Sequence, residues 1–254
     1  MLRSVETNDQ GRPPMLWNAT ELKGYAIHAT DGPIGVVSDF LFDDASWTVR
    51  WLVVDTHPWL ADRRILLPPL AFGHPDEGFR QFLVKLTRDE VKASPESYTD
   101  EPVSQQMESR IYSHYGWDPY WGSGYLMTGA ISMPFVPPNY LSGVQEPDFG
   151  SPRPEPSGDP HLRSMKAVTG YHIEATDGAV GHVEDFLLEE STWSVHFLVV
   201  DTKNWWPGKR VLISPRSVRG IDWAENVMRL NLDREKVKDS PTPDDLAQLD
   251  RASK

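Results

Sequence analysis

The chain has 254 residues, 39% of them hydrophobic, with ten tryptophans, no cysteine and a formal net charge of −12, enough material for two compact cores. The absence of cysteine excludes disulfides, thiolate nucleophiles, zinc–thiolate sites and iron–sulfur clusters, and the negative charge argues against nucleic acid and anionic lipid, which are bound chiefly through Lys and Arg. Apolar runs such as Trp51–Val54 fall far short of the roughly 18 residues that span a bilayer, and the first residues lack the apolar stretch of a signal peptide. A cytoplasmic protein is expected, or one held on the cytoplasmic face of the inner membrane.

A first unit is expected over 17–97. "GYAIHAT" and "PIGVVSDFLFD" read as strands flanking Asp31-Gly32, a pair that favours a type I′ hairpin turn because that turn needs positive φ at both central residues. The polar "DDAS" leads into "WTVRWLVVDT", a third strand. Its Trp47, Val49, Trp51 and Val53 alternate onto one face, while Leu52 and Val54 make the other face apolar too. That outer face therefore needs a cover: the helix of the same copy, the other copy, or a partner. "RRILLPP" and "QFLVKL" supply two more strands, and "TRDEVKASP" reads as a short helix with Thr87 at its N-cap.

Residues 98–125 carry Val103, Met107, Ile111 and Tyr115 at helical spacing, an amphipathic helix that packs on its own copy or meets the second copy or another subunit. Tyr115, Trp117, Tyr120 and Trp121 then crowd one loop, a concentration of large rings seldom left in water. Residues 126–164 have the Pro, Gly and Ser content of a linker.

The second unit, 165–254, repeats the first. At a constant offset of 146, Gly24–Pro95 and Gly170–Pro241 agree at about 30 of roughly 72 positions without a gap, the mark of an internal duplication. Short strands in this number bury a core by curling, so each copy is expected to be a small, strongly bent antiparallel β-barrel with its own core and a short C-terminal helix. The fold class is mainly β.

The run "GYAIHATDGPIGVVSDFLFDDASWTVRWLVVDT", the loop "HPWLADRR" and the ending "VKASP", with "WWPGKRVLISP" and "VKDSP" in the second copy, resemble the PRC-barrel family. That module forms the cytoplasmic part of the photosynthetic reaction-centre H subunit and the C-terminal part of the ribosome-maturation factor RimM. The resemblance implies two barrels in tandem that dock on partners, with no shared catalytic residues. It leads to a non-enzymatic docking or scaffold protein, with a peripheral regulator of a membrane electron-transfer complex as the alternative and ribosome assembly as a third reading.

The residues themselves offer few candidates for chemistry. Asp31 and Asp177, with Gly32 and Gly178, are read as turn residues. Asp55 faces Arg64 across a hairpin and Asp201 faces Arg210, an arrangement for ion pairs. Asp39 and Asp185 are shared between the copies and are read as structural too. No histidine is shared and no metal-ligand spacing occurs, so no catalytic residue, metal or cofactor is expected. The expected interface lies in the aromatic residues Tyr115, Trp117, Tyr120 and Trp121 and in the loop tryptophans Trp59, Trp205 and Trp206. Trp59 and Trp205 either plug the open end of their own barrels or cover Leu52, Val54, Leu198 and Val200 on the opposing one. A protein partner or self-association is expected, with no nucleic acid and no transmembrane segment, leaving peripheral membrane association open.

Overall fold

A computed structural model describes residues 15–60, 63–94, 111–116, 161–202 and 209–252. The first part of the chain contributes β1 (Leu16–Asn18), α1 (Ala19–Leu22), β2 (Ala26–Ala29), β3 (Gly32–Asp43), β4 (Thr48–Asp55), β5 (Arg64–Leu67), β6 (Gln81–Leu83) and α2 (Arg88–Lys92). A helical stretch at 111–115, α3, follows. The second part contributes β7 (Leu162–Ser164), α4 (Met165–Val168), β8 (His172–Ala175), β9 (Gly178–Glu189), β10 (Val195–Asp201), β11 (Arg210–Ile213), β12 (Val218–Asp222), β13 (Val227–Leu230), α5 (Arg234–Lys238) and α6 (Pro243–Ala252).

The protein is mainly β, in two sheets ordered β5-β4-β3-β2-β6 and β11-β10-β9-β8-β13-β12. The expected closed antiparallel barrels are not found among the described residues: neither path returns to its start, and β2 pairs with β6, as β8 pairs with β13, in parallel.

Three further expectations are corrected. The hairpin between β2 and β3 turns on Thr30-Asp31, since Ala29 pairs with Gly32. Gly32 instead opens β3 at φ 144°, and Gly178 opens β9 at φ 142°, a region that only glycine enters without strain. The alternation along the third strand also breaks. On β4, Trp51 faces Leu41 and Val49 faces Phe42, leaving Arg50 as the extra residue of a bulge. A bulge shifts the phase of every residue beyond it, so Val49 joins Leu52 and Val54 in the main core, whereas Trp51 and Val53 face outward. His196 occupies the matching bulge of β10, where Val195 pairs with Leu188 and Phe197 with Leu187.

The third correction concerns the cores. The copies do not fill separate ones: a single cluster of buried side chains includes Phe40, Leu52, Val54 and Phe82 of the first copy together with Val183, Phe186, Leu198 and Val200 of the second. The four residues proposed to need covering by Trp59 and Trp205 are thus interior. The outward faces are closed by other parts of the chain. Over the first copy, Ile111 and Tyr112 of α3 and Leu162 of β7 pack on Trp51, Val53 and Leu66, with the Trp51 and Tyr112 rings edge to face at 5.4 Å. Over the second, Leu16 of β1 and Leu246 of α6 pack on Leu187, Val199 and Leu212.

Candidate functional site

The strands β1 and β7 determine how the copies meet. β1 opens the first copy but pairs antiparallel with β9 of the second, Trp17 opposite Leu188. β7 lies within the stretch expected to be linker, yet it pairs with β3 of the first, Arg163 opposite Phe42. Each copy thereby lends its leading strand to the other. At the centre, Val49 N–H donates to the Trp193 carbonyl at 2.8 Å and Val195 N–H donates to the Trp47 carbonyl at 2.7 Å. Because 47 and 49 match 193 and 195 at the offset of 146, the contacts are reciprocal, which is the signature of an isologous, twofold arrangement within one chain.

The duplicated acids hold this seam. Asp39 accepts the Ser164 hydroxyl at 2.5 Å and the Lys166 N–H at 3.1 Å, tying β3 to the start of α4. Asp185 accepts the Thr20 N–H at 3.1 Å and the Thr20 hydroxyl, tying β9 to α1. Five residues further along each copy, Asp44 receives His161 at 2.8 Å and Arg163 at 3.1 Å, and its counterpart Glu190 receives the Trp17 indole N–H at 2.9 Å and contacts His74.

Burial pushes the Asp185 carboxyl above the ordinary carboxylate range, against the hydrogen bonds from Thr20 and Phe186. A folded-state pKa raised above the unfolded one contributes stability that is present at low pH and is lost as pH rises through the folded value. Asp185→Asn, which cannot titrate, is expected to compare better with the natural chain at pH 7 than at pH 4.5. Urea unfolding at both values measures this; an unchanged difference counts against a strained carboxylate.

Asp31 and Asp177 are turn residues that do a second task. Asp31 accepts the Arg88 N–H at 2.8 Å and Asp177 the Arg234 N–H at 2.9 Å, so each hairpin carboxylate satisfies the first turn of its copy's short helix. Asp31→Ala and Asp177→Ala are each expected to cost about 1 kcal/mol, the usual value of a helix cap, read as a lower urea midpoint with unchanged slope.

Asp55 and Arg64 sit opposite each other in the ladder, as do Asp201 and Arg210. Asp55 also accepts the His57 N–H at 3.0 Å, and Arg210 reaches Glu184 at 2.6 Å. Trp59 packs on the main core with the Arg88 guanidinium of its own copy 4.6 Å from its ring centre. Tyr115 is half-buried beside Trp51 and Tyr112, and burial raises its phenol pKa. Trp117, Tyr120, Trp121, Trp205 and Trp206 lie outside the described residues.

Trp47 and Trp193 are the seam pair that the sequence pattern did not reveal. Both adopt a left-handed backbone, φ 56° and 55°, unusual for a bulky residue. Trp193 crosses the seam into the first copy, with ring centres 4.9 Å from Phe72, 6.0 Å from Phe82 and 6.2 Å from Phe40. The signal was their identity at the same repeat position; the alternation along β4 concealed it by assigning Trp47 to a strand.

Among the described residues no group of three or more potential ligands is gathered for a metal ion, and no helix is long and apolar enough to cross a membrane. A cleft of about 350 Å³ beside β12 is lined by Arg219, Asp222, Trp223 and Arg229, with Asp222 and Arg229 bonded to each other at 3.4 Å. No protein-family model matches the chain. No curated protein matches it either.

Proposed function

We propose that this chain is a non-enzymatic docking or scaffold protein, cytoplasmic and built from two PRC-barrel-like copies fused into an internal dimer. The observation that carries the reading is the use of its duplicated acids. Asp31, Asp39, Asp177 and Asp185 recur in both copies, and each accepts hydrogen bonds from the start of a helix. Groups engaged in this way organise the scaffold and leave its outer faces to vary between the copies.

The test is affinity capture of the tagged full-length chain from soluble and detergent-solubilised fractions of its source cells. A protein partner recovered in stoichiometric amount is expected, and the fraction that yields it tells a soluble complex from a membrane one. Recovery of the chain alone from both fractions overturns the reading.

A further inference from the structure

The two copies provide an internal control for the surface. Leu70, Phe79 and Leu83 are 70%, 79% and 59% exposed, and Val36 is 40% exposed. At the offset of 146 their counterparts are Arg216, Glu225, Arg229 and His182. In the second copy those positions are polar: Arg229 reaches Glu174 at 3.5 Å, Asp222 at 3.4 Å and Glu225 at 3.6 Å, and the His182 ring lies 3.8 Å from Asp201. The same fold is therefore satisfied by polar side chains here, and the apolar residues of the first copy answer no structural need.

Their placement is concerted. Leu70, Phe79 and Leu83 belong to one excursion of the chain, whose limbs are joined by Gly73 N–H to the Leu83 carbonyl at 3.1 Å and Lys85 N–H to the Ala71 carbonyl at 3.2 Å. Leu83 pairs with His28 of β2, and Val36 pairs with Ala26 on the neighbouring row. Within the same excursion Phe72 and Phe82 are buried and meet edge to face at 5.4 Å, which anchors it to the core.

Resting on the docking reading above, we propose that this face of the first copy binds a cationic protein segment that presents apolar side chains between Lys or Arg residues. Charge selects that occupant over a second copy of the chain. At −12 per molecule, two copies repel, whereas a basic segment is drawn in by the long-range field. Locally, Glu77 is exposed beside Phe79 and Asp76 is half-buried, while Arg80 is turned over the Tyr25 ring at 4.8 Å and Lys85 is exposed; the attraction is that of the whole molecule's field.

The experiment uses the full-length chain and two synthetic amphipathic peptides with identical Leu and Phe spacing, one with Lys and the other with Glu at every polar position. The variant carries the second copy's residues, Leu70→Arg, Phe79→Glu and Leu83→Arg, at sites exposed in both copies, and its thermal melt checks that it folds. Fluorescence anisotropy is expected to give binding of the Lys peptide, at least about tenfold weaker binding of the Glu peptide, and at least about tenfold loss in the folded variant. Equal binding by the variant, equal binding of both peptides, or no binding of the Lys peptide overturns the proposal. So does a concentration-dependent dimer that the variant abolishes, since that assigns the face to a second copy. The failures are separable: a stoichiometric partner captured equally by the variant removes this face and leaves docking intact, whereas no captured partner removes docking itself.

Discussion

Gly35→Ala is expected to prevent the chain from folding. A Cβ built on Gly35 would stand 2.0 Å from the Asp55 carbonyl oxygen and 2.9 Å from the Thr56 Cα, and at Gly181 the matching distances are 1.9 Å from Asp201 and 3.0 Å from Thr202. The obstructing atoms are backbone at the end of β4 and β10, so no rotamer change relieves them. Making room means separating β3 from β4, whose register there sets Val36 against Asp55, and with it the core residues Val37 and Val54. The loss should exceed about 4 kcal/mol, the range reserved for backbone conflict and core disruption, a large part of the roughly 5–15 kcal/mol that holds an ordinary domain together. Gly73→Ala is the control, because its Cβ would lie 3.8 Å from the Leu83 carbonyl oxygen in ordinary contact. Soluble yield and urea unfolding of the two variants read the difference; a Gly35→Ala protein as stable as Gly73→Ala would contradict the close approach of β3 and β4.

Trp193→Ala is expected to destabilise both copies together. Truncating a buried Trp costs about 3–5 kcal/mol, and this ring belongs to the second copy by sequence while its aromatic neighbours Phe40, Phe72 and Phe82 belong to the first. With one shared core, unfolding should remain a single transition moved to lower denaturant, followed by far-ultraviolet circular dichroism and by tryptophan emission. A biphasic curve, in which one copy melts early and the other is untouched, would contradict the shared core. For the same reason a fragment of residues 17–97 should not fold stably: it lacks Trp193 and β7, and it leaves Leu52 and Val54 without the second copy's side chains.

Much of the architecture could be read from local pattern. The strands β2 to β6, the helix α2 and their counterparts in the second copy stand on segments whose β-branched and aromatic runs, turn residues and capping Thr87 announce them. Thr87 and Glu90 complete a reciprocal capping box, chemistry contained in a few neighbouring residues. The bulge at Arg50 was hidden because nothing in "WTVRWLVV" says which residue will be left unpaired. That choice is made by β3, whose Leu41 and Phe42 fix the partner positions.

The sequence by itself determined the duplication, the mainly β class, the five strands common to both copies and the acids they share, since each of these is written in local spacing or in the identity of matched positions. Only the tertiary structure decided that the sheets stay open, that β1 and β7 are exchanged, and that Asp39 and Asp185 close the seam between copies. It also decided that Trp193 crosses that seam, and that Leu70, Phe79 and Leu83 of the first copy stand exposed on one excursion of the chain. The physical reason is range: propensity and capping act across a few residues, whereas the seam joins positions such as Asp39 and Ser164, or Trp17 and Glu190, more than a hundred residues apart, and pairing at such separation is settled by which buried surfaces fit as the two copies come together.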